Sequence, residues 1–429
     1  MKFQYKGVIP ASKSIMNRAL ICASYDTQLT LGGTSSCDDV RMMEKALHQL
    51  MLGRNLSPVH STEENMDRDE NQNPIDTEYD CGAAGTVLRF LTLRLSRIPG
   101  QHKLKGTKRL MQRPQQDLLE VLTRLGVRYS NTEEHLTLFS DGWKNLEEPI
   151  AVHRGVSSQF ASSLILNSWN LDSDLILESH GNPISEGYFE MTLNVVKNLG
   201  MNIVEESKKS SGTIYRVLKK SSIRQTFYQV ESDLSSAFAI AAYAALNGEA
   251  IFEKFPHPSL QPDSEFVDFM KKMGISLDLT QSSHSNSGTD YQLHIHQTPH
   301  FKGIECNLKS CPDLFPVLAV LCAFAQTPSR LFGAPQLIHK ESNRIEKTSE
   351  LLRKINIPHE STSEGMLIHP SPIQVNKLSP FTYDTDHDHR LAFAAALVQS
   401  QKIPITIQHP EVVSKSFPEF WEIIQTLKS

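Results

Sequence analysis

One pattern recurs six times along this chain of 429 residues: a turn of small or polar residues followed at once by an apolar helical segment. The six starts lie near Ser14, Gly85, Ser158, Ser236, Asp313 and His389, which serve as markers. The intervals between markers are 71, 73, 78, 77 and 76 residues, so six such units account for nearly the whole chain. A fixed period of this kind is typical of repeated supersecondary units.

Each unit also contains strand-like runs, and most contain a second helical pattern. Residues 135–140 and 291–296 alternate apolar and polar side chains, which predicts strands. Apolar residues at spacings of three and four predict the second helices over 38–51, 115–127, 188–201, 264–275 and 344–357. The sequence therefore predicts an α/β fold of six similar units, arranged as two domains of three.

Composition excludes several classes of protein. Hydrophobic residues make up 39% and charged residues 21%, which is typical of a soluble globular chain, and the net charge of −5 argues against a nucleic-acid or membrane-surface partner. The N-terminus lacks the apolar core of a signal peptide, and the apolar run 237–246 is too short to span a bilayer. The six cysteines form no CxxC pair, so we expect buried, reduced thiols in a cytoplasmic protein.

Two polar segments interrupt the period, residues 56–79 and residues 280–290. Both are rich in polar residues that are common in surface loops, and we predict solvated loops for them. The alternative interpretation is that one of them binds a partner protein.

The segment "SKSIMNRAL" (12–20) raises an electrostatic question. It predicts a helix capped by Ser12 or Ser14, yet Lys13 and Arg18 lie in or beside its first turn. That end of a helix carries free N–H groups and a partial positive charge, which favour anions and disfavour cations. Either an anion binds there, or both side chains extend into water.

The other helix starts are also rich in charged and hydrogen-bonding side chains. They contribute Thr86 with Arg89, Ser157 with Ser158 and Gln159, Asp313, and Asp388 with His389 and Arg390. Neighbouring stretches add Arg113, Lys340, Glu341, Arg344 and Lys415. Neither a phosphate-binding Walker loop nor a dinucleotide fingerprint is present.

Six segments in chain order resemble the signatures of the 5-enolpyruvylshikimate-3-phosphate synthase family. They are "SKSIMNRAL", "GAAGTVLRF", "SSQFASSLIL", "NPISEGYFEMTLNVVKNLG", "HKESNRIEK" and "DHRLAFAAALV", and together they span essentially the whole chain. The resemblance implies a two-domain inside-out α/β barrel with three βαβαββ repeats in each domain. It places one domain at 11–229 and the other at 1–10 plus 230–429, with the active site in the cleft between them.

The resemblance also implies a reaction. The enolpyruvyl group of phosphoenolpyruvate is transferred to the 5-hydroxyl of shikimate 3-phosphate through a tetrahedral intermediate, and phosphate is released. No cofactor or metal is implied. The expected partners are these two small molecules, without nucleic acid or membrane, and the expected enzyme is a monomer.

Residue by residue, the match implies a division of roles. Asp313 and Glu341 are the expected proton-transfer groups, and Lys13 and His389 are further catalytic candidates. The residues matching the phosphoenolpyruvate site are Lys13, Gly85, Arg113, Gln159, Arg344, Arg390 and Lys415. The residues matching the shikimate 3-phosphate site are Lys13, Ser14, Arg18, Ser157, Ser158, Gln159, Ser185, Tyr188, Asp313 and Lys340.

Taken singly, several of these residues have structural alternatives. Asp313, directly after Pro312, fits a helix cap and first-turn acid, and Lys340 with Glu341 fits a solvated face. The sequences "HIH" (294–296) and "HDH" (387–389) resemble metal-ligand pairs, but no cysteine or further histidine has ligand spacing, so no metal is expected.

Four positions depart from the family pattern: Ala11, Met16, Ala83 and Phe90. Ala83 and Phe90 put sensitivity to the inhibitor glyphosate in question, whereas Gly85 favours it. Two alternatives to the synthase remain, namely a UDP-N-acetylglucosamine enolpyruvyl transferase and a non-catalytic paralogue with the same fold. The absence of cysteine from 106–115 argues against the first, and the retained charged residues argue against the second.

Overall fold

The computed structural model describes residues 2–55, 77–144, 148–209, 212–281 and 290–425. Its elements alternate between helix and strand, so the predicted α/β class is confirmed. Up to residue 229 they are β1 (Phe3–Gly7), α1 (Lys13–Ala23), β2 (Thr30–Gly32), α2 (Asp38–Asn55), β3 (Thr77–Asp80), α3 (Gly85–Leu95), β4 (Gly100–Lys105), α4 (Lys108–Met111), α5 (Gln116–Arg124), β5 (Arg128–Asn131), β6 (His135–Ser140), β7 (Ile150–His153), α6 (Gln159–Leu166), β8 (Leu175–His180), α7 (Glu186–Asn198), β9 (Ile203–Lys209), β10 (Gly212–Val217) and β11 (Phe227–Gln229).

The second half continues the alternation. Its elements are α8 (Leu234–Asn247), β12 (Gly248–Phe255), α9 (Glu265–Met273), β13 (Leu277–Gln281), β14 (Tyr291–His296), β15 (Glu305–Asn307), α10 (Phe315–Ala323), β16 (Ser329–Phe332), α11 (Arg344–Lys354), β17 (His359–Thr362), β18 (Gly365–Ile368), β19 (Phe381–Asp384), α12 (His389–Ser400), β20 (Ile405–Gln408) and α13 (Phe420–Gln425). Short 3-10 turns lie at Pro262–Ser264, Pro312–Leu314, Pro335–His339, Val375–Lys377 and Pro410–Lys415.

Four sheets of four strands share one topology. Their orders are β1-β12-β14-β13, β3-β4-β6-β5, β7-β8-β10-β9 and β15-β16-β18-β17. In each sheet the first pair is parallel and the other two pairs are antiparallel. A crossover helix joins the parallel pair in three of these sheets, namely α3, α6 and α10, whereas β1 and β12 are distant in sequence. Among the described residues the remaining two sheets, β11-β2 and β19-β20, are parallel pairs. The period in the sequence is therefore the period of the sheets.

The predicted second helices are confirmed as α2, α5, α7, α9 and α11, and the two predicted strands are β6 and β14. The predicted polar loops are partly wrong, because residues 77–79 belong to β3 and residues 280–281 belong to β13. Both are edge strands with several exposed side chains, which explains their polar composition. The remainder of the predicted loops, apart from residue 290, lies outside the described residues.

Buried apolar side chains form two separate clusters. One draws on residues between Ala11 and Val230, and the other on Phe3, Ile9 and residues from Leu234 onward. The N-terminal strand β1 pairs in parallel with β12, so it completes a sheet whose other strands lie in the second half of the chain. The two connecting segments run side by side, with the N–H of Ser12 donating to Glu231 and the N–H of Asp233 donating to Pro10.

The six cysteines are free and buried, as expected. Within the described ranges, no helix combines the length and the apolar character that crossing a membrane requires.

Candidate active site

The start of α1 answers the electrostatic question raised by its sequence. Ser12 is the cap, and its hydroxyl accepts a hydrogen bond from the N–H of Ile15 at 3.4 Å. Lys13 is buried, and its Nζ lies 3.0 Å from the carboxylate of Asp39 at the start of α2. Burial opposes the charge, but Asp39 and Glu341 outweigh it and raise the pKa of Lys13 above its ordinary value. Lys13 is therefore a buried cation, and the interpretation that it extends into water is wrong.

Arg18 is also buried rather than solvated. Its guanidinium donates to the hydroxyl of Thr192 at 2.7 Å and to the carbonyls of Ser14 at 2.7 Å and Tyr188 at 3.0 Å. Burial lowers the pKa of Arg18 to about 10. These bonds tie α1 to α7, so Arg18 fixes the relative positions of Ser14 and Tyr188.

One cavity gathers most of the residues that the sequence singled out. Of the predicted site residues it is lined by Lys13, Ser14, Arg18, Gly85, Arg113, Ser157, Ser158, Gln159, Ser185, Tyr188, Asp313, Lys340 and Glu341. The other four lie directly beside it. Arg344 and Arg390 contact the carboxylate of Asp313, His389 precedes Arg390 on α12, and Lys415 shares an adjoining cavity with Arg113 and Glu341.

Asp313 is surrounded by cations. Arg344 and Arg390 each donate to its carboxylate at 2.8 Å, and Lys340 Nζ lies at 3.4 Å. Burial favours the neutral acid, but Arg390, Lys340 and Arg344 outweigh it and hold the pKa of Asp313 well below its usual range. The cap residues are Cys311 for the turn Pro312–Leu314 and Leu314 for α10, so the interpretation of Asp313 as a helix cap is wrong, whereas its place as an acidic residue in the first turn is confirmed.

Glu341 has a similar environment. Arg344 Nη2 donates to its carboxylate at 2.9 Å, and burial is again outweighed, here by Arg344, Lys415 and Arg113, so the pKa of Glu341 is held well below its usual range. Its side chain is 16% exposed and that of Lys340 is 19% exposed. The alternative of a solvated face at these two positions is therefore wrong.

Arg344 joins three carboxylates in one network. Besides Asp313 and Glu341, it donates to both oxygens of Asp388, at 2.8 and 3.2 Å. These four bonds use four of the five N–H groups of the guanidinium, which is 1% exposed. Much of the hydrogen-bonding capacity of Arg344 thus holds the acidic groups of the cavity in place.

Other donors here have no protein partner. Among the residues the structure describes, Lys415 Nζ, Arg113 Nε and Arg390 Nε are buried and have no hydrogen-bond acceptor. Both ring nitrogens of His389 are also buried without a hydrogen-bond partner, and Nδ1 lies 3.8 Å from the carboxylate of Asp388. Burial, together with Lys13 and Arg390, lowers the pKa of His389 well below its usual range, so the imidazole is neutral. Buried cations with free donors are suited to binding an anion.

Sequence patterns mark Arg89 only as a helix-start residue and do not mark Asp39 or Asp263, yet all three contact residues of the cavity. Arg89 donates to Ser157 at 3.1 Å and to Gln159 at 2.8 Å, and so orients that turn. Asp39 pairs with Lys13, and Asp263 accepts a 2.8 Å hydrogen bond from the hydroxyl of Tyr188. Asp39 and Asp263 lie at the starts of second helices, where acidic residues are common, so no local signal marks them.

Ser185, at the start of α7, has a left-handed backbone conformation with φ of 53°. Its hydroxyl accepts a hydrogen bond from Gln336 Nε2 at 3.2 Å, and its N–H donates to the carbonyl of Lys309 at 3.0 Å. Strained backbone of this kind is concentrated at functional sites, where surrounding contacts hold it. Contacts from the second half of the chain therefore fix a predicted ligand residue of the first half.

We predict that the Asp263→Asn substitution changes the pH dependence of stability. Burial and the nearby Asp313 raise the pKa of Asp263 to about 7, so between about pH 4 and pH 7 the folded protein holds a proton that the unfolded chain has lost. Stability from this carboxyl therefore falls as pH rises through that window. Asparagine keeps an acceptor for the hydroxyl of Tyr188 without the charge. The free energy of unfolding of the variant, relative to that of the native protein, should therefore increase by at least about 1 kcal/mol between pH 5 and pH 8.

Urea unfolding at the two pH values measures this difference. Asp268→Asn, at an exposed carboxylate on α9, is the control and should show no such change. If the difference in free energy of unfolding between Asp263→Asn and the native protein is the same at both pH values, the prediction is contradicted.

Comparisons with known proteins identify the family and the fold of this chain. The model of the family described as EPSP synthase (3-phosphoshikimate 1-carboxyvinyltransferase) matches residues 6–424. A 3-phosphoshikimate 1-carboxyvinyltransferase from Bacteroides fragilis is 31% identical over 422 residues, covering 96% of this chain and 92% of the relative. One from Methanoculleus marisnigri is 31% identical over 350 residues, covering 80% of this chain and 78% of the relative.

Solved structures show the same fold. The EPSP synthase from Acinetobacter baumannii superposes with a TM-score of 0.71 at 20% identity, covering 98% of this chain and 95% of that one. The enolpyruvyl transferase NikO from Streptomyces tendae gives a TM-score of 0.67 at 15% identity, covering 100% of this chain and 95% of that one. The match over nearly the whole length, in addition to the fold, shows that this chain belongs to the EPSP synthase (3-phosphoshikimate 1-carboxyvinyltransferase) family.

Proposed function

We propose that this protein transfers the enolpyruvyl group of phosphoenolpyruvate to the 5-hydroxyl of shikimate 3-phosphate, a step of aromatic amino acid biosynthesis. The observation that carries the proposal is the arrangement of two ionised carboxylates, Asp313 and Glu341, among buried cations that still have free donors. Two substrates that each carry phosphate and carboxylate groups require such a cluster, because their like charges repel.

The cations have distinct roles in this proposal. Lys13, Arg113, Arg344, Arg390 and Lys415 bind the phosphate and carboxylate of phosphoenolpyruvate. The serine hydroxyls and N–H groups at the starts of α1, α6 and α7, together with Tyr188 and Lys340, bind shikimate 3-phosphate. Gly85 and Gln159 complete the phosphoenolpyruvate site.

Substrate binding then prepares the carboxylates for proton transfer. The cations that depress the pKa of Asp313 and Glu341 would be neutralised in part by the bound anions, so both pKa values rise in the complex. Asp313 thereby becomes a stronger base for the 5-hydroxyl proton. Glu341 takes up a proton from solvent as its pKa rises, and it then delivers that proton to C3 of phosphoenolpyruvate. Elimination then completes the reaction: a proton returns from C3 of the tetrahedral intermediate to Glu341, phosphate departs from C2, and the vinyl group re-forms.

Lys13 and His389 have supporting roles. The raised pKa of Lys13 keeps it cationic, which suits stabilisation of developing negative charge better than proton abstraction. Neutral His389 can accept or donate a hydrogen bond beside Lys13 and Arg390. No step of this reaction calls for a cofactor, and we propose a monomer acting in the cytoplasm.

The decisive experiment measures phosphate release from phosphoenolpyruvate in a metal-chelated buffer, with and without shikimate 3-phosphate. Release that requires shikimate 3-phosphate supports the proposal. Release that instead requires UDP-N-acetylglucosamine would overturn it in favour of the sugar-nucleotide transferase. No phosphate release with either acceptor would overturn it in favour of a non-catalytic paralogue.

We also predict that Gly85→Ala weakens phosphoenolpyruvate binding. A methyl group at residue 85 would lie 2.8 Å from Arg113 Nη1, so the guanidinium must move away from the cavity. We expect KM for phosphoenolpyruvate to rise at least about tenfold, the loss of roughly one charged hydrogen bond. If glyphosate occupies the same site, the glyphosate concentration required for half-inhibition of Gly85→Ala should rise together with this KM.

Gly7→Ala is the matched control, because its added methyl would meet only the Tyr5 ring, at 3.3 Å or more, far from these residues in the sheet of β1. Steady-state kinetics of both variants test the prediction, and an unchanged KM in Gly85→Ala would contradict it. Ala83 lines the cavity that adjoins Arg113 and Glu341, and Phe90 is buried with Arg18 lying 5.2 Å from its ring centre. A glyphosate titration of the native protein therefore tests whether these two departures cancel the effect of Gly85.

A further inference from the structure

A second cluster of chemically active side chains lies on the sheet β1-β12-β14-β13. It consists of Glu249 on β12 and His294 and His296 on β14, and we refer to it as the histidine cluster. All three side chains are half-buried. None of them lines the cavity that contains Asp313 and Glu341.

Strand geometry brings these side chains together. His294 and His296 are two residues apart on β14 and so project from one face, while Leu293 and Ile295 project into the core and are fully buried. Glu249 pairs with His296 across the β12–β14 ladder, and Asp278 pairs with His294 on the other side. Two imidazoles thus stand side by side with a carboxylate on each flanking strand.

The contacts are close and directional. His294 Nε2 lies 3.0 Å from Glu249 Oε2, and His296 Nε2 lies 2.8 Å from Asp278 Oδ2. The two imidazole rings are tilted against each other with centroids 3.8 Å apart. One ligand atom from each of Glu249, His294 and His296 falls within 4.8 Å of the other two.

We propose that the histidine cluster binds a divalent transition-metal ion of the zinc class. Imidazole nitrogens and carboxylate oxygens are the ligands that Zn²⁺ takes, at about 2.0–2.2 Å, so tetrahedral ligand atoms lie roughly 3.4 Å apart. Small side-chain rotations bring the three atoms from their present separations to that distance. Asp278, with its carboxylate beside His296, supplies a fourth ligand or holds a bound water.

The ion would be distant from the active site. Helix α8 begins beside Asp233, whose carboxylate accepts a hydrogen bond from the N–H of Lys13, and ends one residue before β12. Its fourteen residues span roughly 21 Å between the active-site end and the strand that carries Glu249. The proposed ion therefore ties three strands together and takes no part in the transfer reaction, so this inference stands independently of the proposed function.

The pattern "HIH" (294–296) does not by itself predict a metal site, because no further histidine or cysteine has ligand spacing along the chain. The missing ligands are the carboxylates of Glu249 and Asp278, which lie 45 and 16 residues before His294 in the sequence. Only the register of the sheet brings them close to the two histidines. Spacing along the chain does not reveal ligands that are assembled across strands.

The test is titration of the untagged, chelator-treated full chain with Zn²⁺ by calorimetry, followed by Co²⁺ absorption spectroscopy. We expect one zinc ion per chain, and an increase in Tm of about 2–5 °C at saturating zinc. His294→Asn and His296→Asn should each weaken binding at least tenfold and abolish the Tm increase. His300→Asn, an exposed histidine outside the cluster, is the matched control and should bind like the native protein.

Glu249→Gln is a second variant that keeps the shape of the side chain and should also weaken zinc binding. A cooperative thermal melt in chelator, with the native Tm, shows that each variant is folded. Zinc bound with unchanged affinity by both histidine variants would place the ion elsewhere and overturn the proposal. Structural zinc sites bind well below a zinc concentration of about 10⁻⁴ M. If the native chain does not bind one zinc ion at that concentration, the proposal is overturned as well.

Discussion

Asp313→Asn is expected to lower kcat by about 10²- to 10⁴-fold, the usual loss when a general base is removed. Asparagine has nearly the same shape, and its amide oxygen can still accept a hydrogen bond from Arg344 or from Arg390, which donate to different oxygens of Asp313. It cannot take the proton of the attacking hydroxyl. The KM values should change much less than kcat, because the cations that bind phosphoenolpyruvate remain in place. Steady-state phosphate release at saturating substrates measures the effect.

Asp268→Asn, on the exposed side of α9, is the control and should keep native kinetics. A thermal melt separates loss of chemistry from loss of folding. If Asp313→Asn folds and retains more than about a tenth of the native kcat, a base role for Asp313 is excluded and His389 becomes the next candidate to replace.

Arg344→Met is expected to destabilise the protein by about 3–5 kcal/mol as well as to abolish activity. Methionine fills a similar volume but leaves the carboxylates of Asp313, Glu341 and Asp388 without their shared partner, and Asp388 is fully buried. Removing one member of a buried ion network costs far more than its net contribution, since the remaining charges cannot reach water.

The matched control is Arg330→Met in the same half of the chain. Arg330 also donates to a carboxylate, Glu305, at 2.9 Å, but both side chains are about 60% exposed, so this change should cost less than about 1 kcal/mol. Urea unfolding of the two variants makes the comparison. If both variants lose an equally small free energy of unfolding, the buried network of Arg344 does not stabilise the fold.

The effect of Arg344→Met should also depend on pH. Arg344 helps to hold the pKa of Asp313 and Glu341 below the values of the unfolded chain. Its contribution is present above about pH 4 and is lost as these groups become protonated at lower pH. The stability difference between the native protein and the variant is therefore expected to shrink below pH 4, and a difference that grows on acidification would contradict this account.

The sequence alone predicted the α/β class, the six-unit period and the second helices, because these depend on local spacing. Apolar residues at three and four define a helix wherever it finally packs, and small residues before an apolar run define its start. The resemblance of the helix starts to known signatures also identified the residues that line the cavity. The proposed division into 11–229 and 1–10 plus 230–429, and the roles of the site residues, remain predictions.

Only the tertiary structure decided how charged residues distant in sequence interact. Lys13 and Asp39 meet where α1 packs on α2 within the first unit, whereas Tyr188 with Asp263 and Arg344 with Asp388 are brought together by packing between units. The sequence spacing of these partners carries no signal of contact. The same holds for Glu249 beside His294, where a ladder joins strands 45 residues apart. A helix or strand is encoded by neighbours along the chain, whereas the pKa of a buried group depends on every charge and dipole that the fold places around it.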